Sequence, residues 1–119
     1  MSASTATRGS PPINPRKLRA DLRLSRERMA RLLDVSVKTI ERWEARDARP
    51  TSPHLRSRLA KLQEIADLGL IVYRAEGFTT FLTVPIVQFG GRTALQVIEQ
   101  GEPERVFAAL AADYEGLGY

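Results

Sequence analysis

Residues 32–50, LLDVSVKTIERWEARDARP, decide the fold of this chain. The segment is mostly polar or charged, yet it holds the only tryptophan, Trp43, three residues after Ile40. Side chains three residues apart share one face of a helix. We therefore predict a helix from Val37 to about Ala45 that buries Ile40 and Trp43 and turns its polar side chains outward.

A second short helix is predicted immediately before this one. Ser25 and Ser36 are each placed to cap the start of a helix, and Met29 and Leu32 form an apolar face at helical spacing. Asp34 lies between the two helices and tolerates the left-handed conformation of a tight turn. Two such helices close a small core in which the buried indole, with ~200 Å² covered, contributes several kcal/mol.

Further helices flank this pair. Asn14-Pro15 and Ser52-Pro53 each combine a cap with a proline in the first helical turn. The helix that starts at Ser52 ends near Gly69 or continues through LIVYRAEG, an apolar run that also suits a strand. Apolar inner faces are predicted at Leu18, Leu22, Leu55, Leu59, Leu62 and Ala66. Residues 1–12 are rich in Ser, Thr, Ala and Pro and are expected to be disordered.

The C-terminal part contains shorter elements. FTTFLTVP ends at Pro85, and Gly90-Gly91 forms a turn before a helix capped by Thr93. Gly101 breaks that helix, and Pro103 lies early in the last one, which leads to the tail YEGLGY. The apolar faces are predicted at Ala94, Leu95, Val97, Ile98, Val106, Phe107, Leu110 and Ala111.

Charge is divided unevenly along the 119 residues. Residues 1–61 hold 15 Lys/Arg and 6 Asp/Glu, a net charge of +9, whereas residues 62–119 hold 3 and 8, a net charge of −5. A basic half attracts phosphate, and an acidic half indicates a second binding task. The absence of cysteine excludes disulfides and cysteine zinc sites, and no apolar run reaches the ~18 residues of a membrane span, so we expect a cytoplasmic protein.

Catalytic chemistry is poorly supported by the sequence. The single histidine, His54, is predicted to lie on the surface, and FGGRT lacks the pattern of a nucleotide loop. Glu41, Glu44 and Asp47 lie among arginines and are interpreted as an ion-paired helix surface. We expect neither an enzyme nor a bound cofactor or metal.

The N-terminal half resembles a known family. LSRERMARLLDVSVKTIERWEARDARP is similar to the helix-turn-helix of Xre/Cro-type repressors, with Asp34 where glycine is usual. The resemblance implies that the second helix of the pair enters the major groove of operator DNA. It assigns base contacts to Val37, Lys38 and Arg42, and backbone contacts to Ser25, Arg26, Ser36 and Thr39.

The C-terminal half resembles the toxin-binding domain of Xre/MbcA/ParS-like antitoxins. The residues that carry this resemblance are FLTVP, FGGRTAL, VIEQGEPERVFAAL and YEGLGY. It implies a type II antitoxin whose partner is an NAD-targeting RES-domain toxin and whose C-terminal region blocks the toxin's active site. The implied toxin contacts are Gly91, Arg92, Tyr114, Glu115, Gly116, Leu117, Gly118 and Tyr119, although a purely structural role stays open for Gly91 and Arg92.

Together these observations predict an all-α protein. An Xre/Cro-like helix-turn-helix bundle at residues 13–69 is followed by a small helical toxin-binding domain at residues 70–119. We expect a homodimer, because one helix-turn-helix covers only half of a two-fold operator. The alternative is a plain Xre-family transcription regulator whose C-terminal domain only dimerises it.

Overall fold

The computed structural model describes residues 13–46, 48 and 50–117, and they confirm the all-α class. The predicted disordered tail at 1–12 lies outside the described residues, as do Asp47, Gly118 and Tyr119. Apart from one isolated bridge between Ile86 and Arg92, no strand pairing occurs in the described ranges. The helices are α1 (Pro15–Leu22), α2 (Arg26–Leu33), α3 (Val37–Arg46), α4 (Pro53–Val72), α5 (Ala75–Thr83), α6 (Ala94–Glu99) and α7 (Pro103–Gly116), with a 3-10 turn at Val87–Phe89.

Side-chain caps fix the starts of α1, α2, α4 and α6. Asn14, Ser25, Ser52 and Thr93 each accept a hydrogen bond from the backbone N–H three residues later. At Thr93 the cap is reciprocal, because the Gln96 side chain accepts from the Thr93 N–H. Each cap satisfies a donor that a helix start would otherwise leave unpaired. The helix starts predicted from these residues are thus confirmed.

The turn between α2 and α3 has the geometry predicted for it. Asp34 adopts φ 57° and ψ 49°, the left-handed region, and its N–H donates to carbonyls of the preceding turn. The Ser36 Oγ then accepts from the Thr39 N–H at 3.1 Å, which closes the first turn of α3. α2 and α3 are therefore two short helices joined by a tight turn, as expected, and their role as a DNA-binding helix-turn-helix stays a prediction.

The inward faces of the first four helices contribute to a core that contains Trp43. Its side chain is buried, as predicted, and Ile40 is buried beside it. The hydrophobic core is continuous with the C-terminal half, because both halves contribute to one cluster of contacting side chains. Its buried members include Leu18, Leu22, Met29, Leu32, Leu59 and Leu62 from the N-terminal part and Phe78, Leu82, Leu95, Val97, Val106 and Leu110 from the C-terminal part.

α4 connects the two halves. It continues as a helix to Val72, past the predicted domain boundary at 69/70, so the alternative of a strand at LIVYRAEG is wrong. Gly69 allows α5 to approach, since a Cβ at this position would lie 2.2 Å from the Phe78 ring. The ring therefore packs directly on the α4 backbone, and the helix continues through this glycine.

α7 packs along α4 in a parallel direction. The Lys61 Nζ lies 5.3 Å from the centre of the Phe107 ring, and the Tyr73 hydroxyl donates to Asp113 at 2.6 Å near the ends of both helices. Both helices thus end on the same side of the protein. In the part of the chain that the structure describes, no helix is long and apolar enough to cross a membrane.

Candidate functional site

The outer face of α3 is a candidate interface. Lys38 and Arg42, one turn apart, are both exposed and project from the same side of the helix. Val37 is half-buried and packs against the core, and Thr39 is also half-buried. The structure therefore brings Lys38 and Arg42 together as exposed cations and leaves Val37 only partly accessible.

The hydroxyl groups predicted to contact a DNA backbone already cap helices. The Ser25 Oγ accepts from the Arg28 N–H at 3.1 Å. The Ser36 Oγ lies 2.9 Å from the Thr39 Oγ1, so these two hydroxyls are bonded to each other. Ser25 and Ser36 remain exposed at the starts of α2 and α3, where unpaired N–H groups and the helix dipole favour an anion.

Behind this face lies a buried carboxylate that the sequence interpretation placed wrongly. Glu44 was expected on an ion-paired surface, but its side chain is only 2 % exposed. It accepts from Arg19 Nε at 2.6 Å and Arg19 Nη2 at 3.1 Å, and from Arg26 Nε at 3.0 Å. The Arg19 hydrogen bond, and then that of Arg26, lower the pKa of Glu44, against the opposing effect of its burial.

This ion cluster holds the starts of two helices against α3. Arg16 donates to the Glu44 carbonyl oxygen at 3.0 Å, so α1 contacts α3 through Arg16 as well as Arg19. Arg26 is the first residue of α2, and its side chain remains 46 % exposed while its Nε is bound to Glu44. Glu44 therefore orients Arg26, a cation at the start of α2 that is predicted to approach phosphate.

The turn at residues 86–92 contains two predicted partner contacts, Gly91 and Arg92. Gly90 and Gly91 have φ of +68° and +85°, conformations that favour glycine. The Arg92 Nε donates to the Phe89 carbonyl oxygen at 2.9 Å, and its guanidinium also donates to Gln100. The structural role that the sequence left open for Arg92 is thus observed, whereas contact of Gly91 or Arg92 with a partner stays a prediction.

The C-terminal segment is more helical than the sequence indicated. Glu115 and Gly116, predicted as part of a tail, lie in the last turn of α7, and the Leu117 N–H still donates to the Tyr114 carbonyl oxygen at 3.1 Å. A glycine costs a helix only about 1 kcal/mol relative to alanine, which one terminal turn tolerates. Tyr114 is half-buried and Leu117 is 53 % exposed, while the predicted contacts Gly118 and Tyr119 lie outside the described residues.

Two ion pairs between the halves have no counterpart in the sequence prediction. Arg28 Nε lies 2.6 Å from Glu99 Oε2, and Arg31 Nε lies 3.8 Å from the same oxygen. The only available signal was the excess of opposite charge in the two halves, which does not indicate a specific pair.

Comparison with solved structures identifies a similar fold. The chain superposes with a TM-score of 0.71 on a chain of the crystal structure of the M. tuberculosis MbcT–MbcA toxin–antitoxin complex. The two share 24% sequence identity, and the match covers 87% of this chain and 92% of the other. No protein-family model matches the sequence, and neither does any curated protein. The fold expected from the resemblance to MbcA-like antitoxins is therefore confirmed.

Proposed function

We propose that this protein is the antitoxin of a type II toxin–antitoxin system. It binds and neutralises a RES-type, NAD-targeting toxin and also binds operator DNA to repress its own operon. The observation that carries this proposal is the fold, which matches a chain of a toxin–antitoxin complex over most of its length. The sequence resemblance of both halves to Xre/MbcA/ParS-like antitoxins supports the same conclusion.

Operator binding is proposed for the outer face of α3 and the start of α2. Lys38 and Arg42 are exposed side by side, as base contacts in a major groove require. Arg26, Ser25 and Ser36 surround the helix starts and contact phosphates, which fix the register of the protein on DNA. Val37 contributes an apolar contact through its exposed portion, and Thr39 supports the backbone contacts. A homodimer presents two such faces to a two-fold operator.

Toxin binding is proposed for the acidic C-terminal half, residues 70–119. Residues Tyr114–Tyr119 cover the entrance of a cleft that binds the phosphates of NAD, and Gly91 and Arg92 contribute through the turn they build. An acidic domain complements a cleft that is built to bind phosphate, because cations line such a site. Leu117 adds an exposed apolar side chain to this segment.

Co-expression with the RES-type protein of the same operon tests the proposal. We expect the two proteins to co-purify, and cells that produce both to grow and keep their NAD, whereas the toxin alone depletes NAD. A chain that binds operator DNA but neither co-purifies with that protein nor protects NAD is a plain transcription regulator, and this result would refute the antitoxin assignment.

A further inference from the structure

Four residues from three parts of the chain form one continuous surface, which we call the Tyr73 patch: Tyr73, Phe81, Asp113 and Leu117. The rings of Tyr73 and Phe81 stack with their centroids 5.6 Å apart. The Tyr73 hydroxyl donates to Asp113 Oδ2 at 2.6 Å, and Leu117 lies one turn after Asp113 on the same side of α7. The two rings are half-buried, while Asp113 and Leu117 are exposed.

The electrostatics of this end of the protein favour a cationic partner. α4 and α7 both end here, and a helix C-terminus carries about half a negative charge; the N-terminus of α5 at Ala75 offsets that of α4, so the negative end of α7 is the one left uncompensated. Their last four residues are GLIV and DYEG, so neither last turn has a basic side chain, and α7 adds Asp113 and Glu115 to its own negative end. Arg74, which precedes α5, and Glu76, in the first turn of α5, balance each other in formal charge. Acidic side chains at the negative end of α7 repel that end of the helix dipole. A bound cation would compensate this repulsion.

The patch is ordered before any partner arrives. Burial and the bond to Asp113 raise the pKa of Tyr73 to about 12, so the phenol stays protonated and keeps donating. Stacking against Phe81 fixes the ring plane as well. Aromatic side chains bury a large area at a small cost in side-chain entropy, which is why they are enriched in the centres of protein interfaces.

We propose that the Tyr73 patch is part of the toxin-docking surface, with cationic toxin side chains opposite Asp113 and Glu115 and apolar toxin surface against Phe81 and Leu117. This inference rests on the proposed function and deepens it. It extends the predicted contact segment at residues 114–119 onto the ends of α4 and α5, which the sequence alone did not connect with α7. The patch and that segment share Leu117, whose side chain is exposed.

The test removes charge without removing shape. The double variant Asp113→Asn/Glu115→Gln keeps an acceptor for the Tyr73 hydroxyl but loses both charges. The control, Glu64→Gln/Glu104→Gln, removes two exposed carboxylates elsewhere on α4 and α7. We expect the Kd for the purified toxin to rise at least about tenfold in the test variant and to become less dependent on salt, with the control within about twofold.

A second variant tests the apolar contact of the Tyr73 patch. The outcomes distinguish a failure of the proposed function from a failure of the patch assignment alone. Leu117→Ser should weaken toxin binding without changing its salt dependence. If the wild-type chain binds no toxin, the proposed function fails. If the wild type binds and the double variant binds equally well, only the Tyr73 patch assignment is overturned. Loss of self-association with unchanged toxin affinity would assign the patch to a second copy of this chain and would overturn the inference as well.

Discussion

Replacing Glu44 by glutamine tests the ion cluster behind α3. The carboxylate accepts three hydrogen bonds from two guanidinium groups, whereas a glutamine amide has one acceptor oxygen and turns its NH₂ group toward an arginine donor. Removing one partner of a fully buried ion pair costs about 3–5 kcal/mol. The side chains of Arg19 and Arg26 are 23 % and 46 % exposed to solvent, so water can partly replace the lost carboxylate. We therefore expect a smaller loss, of about 2–3 kcal/mol, in the free energy of unfolding.

Urea unfolding followed by tryptophan fluorescence measures this loss, because the single tryptophan is buried in the same core. Glu41→Gln is the matched control, since Glu41 is exposed on the same helix, and we expect a change within about 0.5 kcal/mol. If Glu44→Gln also changed stability by less than about 0.5 kcal/mol, the carboxylate would not be holding the two arginines, and our account of the cluster would be refuted.

The same variant makes a prediction about acid stability. The pKa of Glu44 is lowered in the folded state, first by the Arg19 hydrogen bond. A lowered folded pKa gives stability that is present above the unfolded value and is lost as the pH falls through the folded value. The wild type should therefore lose stability below about pH 4.5, and the difference between wild type and Glu44→Gln should shrink over that range. A difference that is constant down to the acid transition would contradict this assignment.

Three other changes have defined outcomes. Gly69→Ala places a Cβ 2.2 Å from the Phe78 ring and should lower the free energy of unfolding by about 1–3 kcal/mol. The control Gly116→Ala, whose Cβ would have no atom within 4 Å, should not lower it. Equal unfolding midpoints for the two variants would contradict the packing of Phe78 on Gly69. Arg42→Ala should weaken operator binding by about 1–3 kcal/mol in a fluorescence anisotropy titration, and unchanged affinity would remove this side chain from the groove. Deleting residues 115–119 should release toxicity and leave operator binding intact, so cells that still grow with the toxin would refute the blocking role.

Local signals in the sequence predicted the N-terminal half well. Caps at Asn14, Ser25 and Ser52 act over three residues, and the burial of Trp43 follows from its spacing to Ile40, so each is readable without knowledge of the rest of the chain. Asp34 also took the predicted left-handed conformation.

The features that the sequence did not reveal depend on partners far away in the chain. Glu44 resembles a surface residue because it lies among arginines, and only the packing of α1 and α2 shows that its ion pairs are buried. The same holds for Glu99, whose partner Arg28 lies 71 positions earlier. The α7 end was misjudged because glycine at 116 reads as a helix stop, although one terminal turn tolerates it. The Tyr73 patch joins three separate segments and has no local signature.

The course of α4 through both halves limits how such proteins can be recombined. A chimera joined at residues 69/70 would cut inside the helix, and the Gly69 backbone would then face whichever side chain the donor supplies at the position of Phe78. A donor side chain bulkier than phenylalanine at that position would clash with this backbone. Exchange of partner preference between relatives should therefore succeed when the crossover lies before Ser52 or after Val84, so that the helix and the ring that it accommodates are inherited together.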